Sequence, residues 1–109
     1  MKISKINQVL EQELYEAVAA VRSAEEAKKF FQDLCTPAEI QAMADRWHVV
    51  PLVKAGKSYR QIYNETGVSV TTIGRVARCL MLGEGGYNLV HERLGKNKQV
   101  CPSKAKIKK

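Results

Sequence analysis

SYRQIYNETGVSVTTIGRVARCL, residues 58–80, reads as two short helices joined at one glycine. Ser58 and Ser69 each stand where an N-cap belongs, because a short side chain with an acceptor oxygen satisfies one of the amides left open at a helix start. Gly67 lies between them, and a residue free to adopt positive φ can end the first helix and turn the chain within about three residues. Ile62 then faces inward from the first helix, and Val68 fills the turn. Ile73, Val76 and Leu80 recur at i, i+3 and i+7, so that side of the second helix meets the protein. Two helices crossing steeply over so short a turn make a helix-turn-helix. An ordinary helical hairpin uses the same caps, but an inward isoleucine on each side of a Gly-Val-Ser turn favours the helix-turn-helix.

The opposite side of the second helix presents Thr71, Thr72 and Arg75, with Val70 in its first turn. These side chains are short, carry methyl or hydroxyl groups, and stand near the helix N-terminus. That is what a recognition helix needs to approach base edges end-on in double-stranded DNA. Lys57, Arg60, Arg75 and Arg78 concentrate positive charge on the same stretch.

The wider charge pattern agrees with this. The 109-residue chain carries a formal +7 from 18 basic and 11 acidic residues. Six of the lysines fall in KNKQVCPSKAKIKK, residues 96–109, which contains no acid, so residues 1–95 carry only a net +1. The domain plan is therefore a helical DNA-binding domain over 1–95 and a basic, disordered tail over 96–109. Tail lysines near DNA would add affinity without specificity. A chain of this length supports one small core and still leaves much surface to cover, so a homodimer is the expected state.

Apolar spacing predicts helices throughout. The first runs from about residue 4 to 21 on Val9, Leu10, Leu14 and Val18, and the second over 24–34 behind Ser23 and Glu26. Thr36-Pro37 opens a third, in which Ile40, Met43, Ala44, Trp47, Val50 and Val53 make a stripe. Pro51 predicts a kink near 47–51, and Gly56 ends the helix. After the helix-turn-helix, MLGEGGYN at 81–88 reads as a loop before a short helix over about 87–94. The fold is all-α with about six helices, since no segment alternates like a half-buried strand.

Other functions find little support. No nucleophile–base pair, phosphate loop or metal spacing is present, so no catalytic or metal-binding residue and no cofactor is expected, and His48 and His91 read as packing or surface residues. Cys35, Cys79 and Cys101 form no CxxC, which suits a reducing interior. Cys79 on the recognition helix raises the alternative of a thiol-based redox-responsive DNA-binding protein, though burial and inertness are its expected state. A protein-interaction module docking a partner helix on the Trp47 stripe is the other alternative, but a dimer core needs the same stripe. No secretion signal and no membrane-spanning run is evident, and the protein reads as cytoplasmic with no membrane partner.

LCTPAEIQAMADRWHVVPLVKAGKSYRQIYNETGVSVTTIGRVARCL, residues 34–80, resembles the tryptophan repressor superfamily, and most of all its branch named YerC/YecD. The resemblance covers nearly half of the chain and rests on the joint pattern TP…R…G…S…R…G…R. It implies an interlaced homodimer that binds operator DNA, as a repressor, with two recognition helices. By position it makes Arg60, Val70, Thr71 and Thr72 the DNA-facing residues, joined by Arg75 and Arg78 of the basic stretch. The arginines that sandwich the corepressor in the family match Arg46 and Arg75, and the threonine near its amino group matches Thr36. The glycine that makes room for the indole is Val76 here, and the serine near the amino group is Cys79. The effector set implied is thus Thr36, Arg46, Arg75, Val76 and Cys79; these departures tell against tryptophan and leave room for a different amphipathic anion between the two guanidinium planes.

Overall fold

The computed structural model describes residues 2–100, with side chains described for residues 6–95, so the expected tail lies outside the described residues from Cys101 onward. Six helices follow in order: α1 (Lys2–Ala20), α2 (Ala24–Leu34), α3 (Pro37–Lys54), α4 (Tyr59–Thr66), α5 (Val70–Leu82) and α6 (Gly86–Val100). No strand occurs among the described residues. The chain divides into two compact units, Met1–Gln41 and Ala42–Lys109, the division falling within α3.

In the first unit, α1 and α2 obey the local grammar of their sequence. Ser23 Oγ accepts the Glu26 N–H at 3.1 Å, while the Glu26 carboxylate accepts the Arg22 N–H at 2.9 Å. Thr36 and Glu39 close a reciprocal box at the start of α3: the Glu39 N–H donates to Thr36 Oγ1 at 3.1 Å, and the Thr36 N–H donates to Glu39 at 2.8 Å. The Thr36–Glu39 box satisfies two amides that the helix leaves open, whereas at α2 Glu26 reaches the amide before the Ser23 cap and so does not close the expected box. No described side chain of this unit is fully buried. The apolar stripe of α1 is exposed instead, from Ile6 through Val9, Leu10 and Leu14 to Val18.

The second unit holds the core, which is built from α3, α4 and α5. Val49, Val50, Ile62, Ile73 and Val76 are fully buried and Val68 nearly so, with Trp47, Leu52, Val53, Leu80 and Tyr87 packed around them. Withdrawing a valine or isoleucine from water is worth about 1.5–3 kcal/mol, enough for these few residues to fix α5 against α3 and α4. Val49 joins Val50 in the core because the run VVPLV is apolar on more than one face of α3, broader than the expected single stripe. Pro51 lies inside α3, and the helix continues beyond it to Lys54.

Two helix ends differ from expectation. Met81 and Leu82 extend α5, and Gly83 caps it by donating its N–H to the Cys79 carbonyl at 2.8 Å. α6 begins at Gly86 and runs to Val100, well past the expected end near 94. Gly95 alone does not stop a helix flanked by Lys, Arg, Asn and Gln, and the next proline is Pro102.

Candidate nucleic-acid interface

The turn between α4 and α5 is held from three sides. Ser58 and Gln61 form a reciprocal box at the start of α4, with bonds of 3.0 and 3.1 Å. Gly67 takes φ 79°, the left-handed region, and donates its N–H to the Tyr63 carbonyl at 2.8 Å. Thr66 Oγ1 donates to the Ile62 carbonyl at 2.7 Å and accepts the Val68 N–H at 3.0 Å, so one hydroxyl spans the end of α4 and the turn. Lys57 Nζ bonds both oxygens of Glu65 at 2.9 and 2.8 Å. That ion pair is about two-fifths exposed on each side, so it adds little stability, but it spends the charge of Lys57 within the protein.

With Ile73, Val76 and Ala77 turned inward, α5 directs Thr71, Arg75 and Arg78 outward. These three line one open groove of about 790 Å³, which Tyr59 from α4 also lines. Among the described residues, the guanidinium groups of Arg60, Arg75 and Arg78 have neither an ion-pair nor a hydrogen-bond partner. Three uncommitted guanidinium groups on exposed residues are suited to phosphate, since no internal carboxylate competes for them. Val70 is half exposed at the first position of α5. Thr72 is partly buried; its N–H donates to Ser69 Oγ at 3.1 Å, and its own Oγ1 accepts from the same hydroxyl at 3.0 Å.

The effector candidates have different surroundings. Arg75 and Cys79 share the α5 groove. Val76 is fully buried in the core. Arg46 is partly buried on α3 and does not line that groove, and Thr36 belongs to the first unit, where it caps α3. Cys79 is exposed, correcting the expectation of a buried thiol: it sits off the stripe formed by Ile73, Val76, Ala77 and Leu80. It also lines a second groove of about 550 Å³ with Trp47, Tyr87 and Val90. The Trp47 and Tyr87 rings lie 6.3 Å apart there. His48 is exposed and His91 partly buried, and no group of three potential metal ligands occurs among the described residues.

Tyr59, Gly74, Ala77, Met81 and Leu82 also line the groove, although sequence spacing did not mark them as site residues. The available signal was Gly74 itself, a glycine in mid-helix with no turn to explain it.

Comparison with known proteins places this geometry. The family model described as Trp repressor protein matches residues 9–95, spanning both halves of the helix-turn-helix. The chain belongs to the Trp repressor family. Membership suggests a DNA-binding transcription regulator. The chain is 36% identical over 104 residues to YerC, an uncharacterized protein of Bacillus subtilis (strain 168), covering 95% of this chain and all of that one. It is similar to the crystal structure of a TrpR-like protein from Eubacterium eligens ATCC 27750, with a TM-score of 0.73 and 40% identity over 81% of this chain and 90% of that one. A Staphylococcus aureus crystal structure, whose name proposes a Trp repressor, matches with a TM-score of 0.77 and 37% identity over 87% of this chain and 95% of that one. No helix among the described residues is long and apolar enough to cross a membrane.

Proposed function

We propose that this protein is a homodimeric transcriptional repressor that binds operator DNA sequence-specifically, each copy placing α5 in the major groove. One observation carries the reading: the inward side of α5 is fixed in a buried core, while its outward side presents Thr71, Arg75 and Arg78 with the two guanidinium groups uncommitted. Val70, Thr71 and Thr72, at the N-terminal end, are the base-reading residues, and Arg60, Arg75 and Arg78 are the phosphate ligands. No catalytic step belongs to this reading.

Where the family leaves a glycine beside the indole, Val76 places a branched side chain whose methyl groups the core already uses. Inserting a bicyclic ring there would cost about 1–3 kcal/mol in overpacking. Tryptophan is therefore not the effector, and any small amphipathic molecule that controls this protein acts by favouring one tilt of α5 over another.

Selection of bound duplexes from a random pool, with and without L-tryptophan, tests both parts. The expected outcome is one recovered consensus under both conditions, bound with an affinity that falls steeply as salt rises. Failure to retain any duplex at low salt overturns the DNA reading. A consensus that emerges only with tryptophan overturns the effector reading.

A further inference from the structure

Among the residues that line the α5 groove, Tyr59 alone comes from α4. It is the first residue of that helix, directly after the Ser58 cap and before Arg60, and it is 43% exposed. Its ring rests against the bare backbone of α5: a Cβ placed on Gly74 would lie 3.7 Å from Tyr59 Cε2. Glycine inside a helix costs about 1 kcal/mol relative to alanine. Gly74 does not have positive φ, so no backbone requirement explains its presence. What the missing side chain provides is a shallow seat for the ring.

The phenol has no hydrogen-bond partner among the described residues. Nor does the groove supply a carboxylate, since its polar lining consists of Thr71, Arg75, Arg78 and the Cys79 thiol beside Tyr59 itself. At the start of α4, Ser58 Oγ accepts from Gln61 and the Ser58 carbonyl accepts from Ile62, which leaves the Tyr59 and Arg60 amides as further open donors. The region is rich in donors and short of acceptors. A hydroxyl in such a place meets its acceptor on an incoming anion.

We infer that Tyr59 is a DNA-contact residue, its hydroxyl donating a hydrogen bond to a backbone phosphate oxygen beside the recognition helix, with Gly74 as the seat that positions its ring. The inference rests on α5 being the recognition helix, and it makes the first turn of α4 and the middle of α5 one binding surface. It also has a signature that separates Tyr59 from the arginines. A neutral donor displaces no counterion, so its loss shifts affinity without changing the salt dependence, whereas loss of an arginine changes both. A phosphate contact carries no base information, so the loss is the same on every sequence.

The test compares Tyr59→Phe with the unaltered protein on a mixed-sequence duplex and on the strongest duplex recovered by selection, each over a range of salt. Tyr59→Phe is expected to bind both duplexes about threefold to thirtyfold more weakly, along a parallel salt line and with an unchanged unfolding midpoint. Arg60→Ala should instead lower the salt slope by about 1. Gly74→Val, which fills the seat of the ring, should weaken binding like Tyr59→Phe, while Gly74→Ala makes an ordinary contact and should bind as the unaltered protein does. Unchanged affinity of Tyr59→Phe on both duplexes overturns the inference while the helix-turn-helix reading stands. A loss confined to the selected duplex, or a lowered unfolding midpoint, also overturns it, by pointing to base contact or to a packing role. If the unaltered protein binds neither duplex, both readings fall.

Discussion

Thr71 and Thr72 are neighbours in sequence and in expected role, yet their surroundings differ. Thr71 is exposed, and its hydroxyl has no partner among the described residues. Thr72 is partly buried, with its hydroxyl held by the Ser69 cap at 3.0 Å. Replacing Thr72 therefore disturbs the start of α5 along with any base contact, whereas replacing Thr71 removes only what faces outward. Thr71→Ala is expected to lower affinity for the selected duplex by about 1–3 kcal/mol, leaving mixed-sequence binding and the unfolding midpoint nearly unchanged. Parallel loss on both duplexes in a fluorescence-anisotropy titration would remove Thr71 from the base-reading set. The outward Thr71, Arg75 and Arg78 were legible in the sequence, because helical periodicity assigns faces from the apolar residues alone. Tyr59 was not, since its place depends on a cross-helix contact with Gly74 that no local spacing records. Cys79 was misplaced for a related reason: cysteine is usually buried, and only the position of the stripe shows that this one faces out.

At the scale of elements, Gly67 and Gly74 should answer the same substitution with opposite signs. Gly67 caps α4 at φ 79° with nothing within 4 Å of an added Cβ, so alanine there brings left-handed strain and no clash. Gly67→Ala should cost about 1–2 kcal/mol. Gly74 lies inside α5 with ordinary space for a methyl group, and Gly74→Ala should raise stability by about 0.5–1 kcal/mol through backbone entropy. Denaturant midpoints at one fixed protein concentration check the pair: a raised midpoint for Gly67→Ala would contradict the first assignment, and a lowered one for Gly74→Ala the second. The caps were readable because an N-cap is written within four residues: Thr36 and Ser58 each accept the N–H of the third residue onward. The ends of α5 and α6 were less readable. Gly83 and Gly86 lie only three residues apart, and sequence does not say which glycine caps the outgoing helix and which opens the next. Val49 entered the core unannounced because VVPLV offers apolar side chains on several faces, and only packing selects among them.

At the scale of the whole molecule, apolar side chains of α1 and α6 remain exposed among the described residues. On α1, Ile6, Val9 and Leu10 are more than half exposed, with Leu14 and Val18 close behind, at spacings that set them along one side of the helix. On α6, Leu89, Val90 and Leu94 are each more than two-fifths exposed. α2 contributes no buried residue. A helix acquires most of its stability from burying an apolar face, so α1 is stable only if something covers its stripe. Covering each such side chain is worth about 1.5–3 kcal/mol, and a second copy presents the same stripes in an isologous contact without calling on any other partner. Under the proposed function, two copies would also supply two copies of α5, doubling the proposed phosphate contacts and letting one particle read an operator with two half-sites. The expected outcome is a particle of twice 12.2 kDa by light scattering at micromolar concentration, with an unfolding midpoint that rises with protein concentration. Leu10 is more than half exposed in the single chain, yet Leu10→Glu should lower that midpoint, shift the particle toward the 12.2 kDa form and weaken DNA binding in parallel. A 12.2 kDa particle with a concentration-independent midpoint would refute the dimer, and a Leu10→Glu chain that stays dimeric would place the contact on another face.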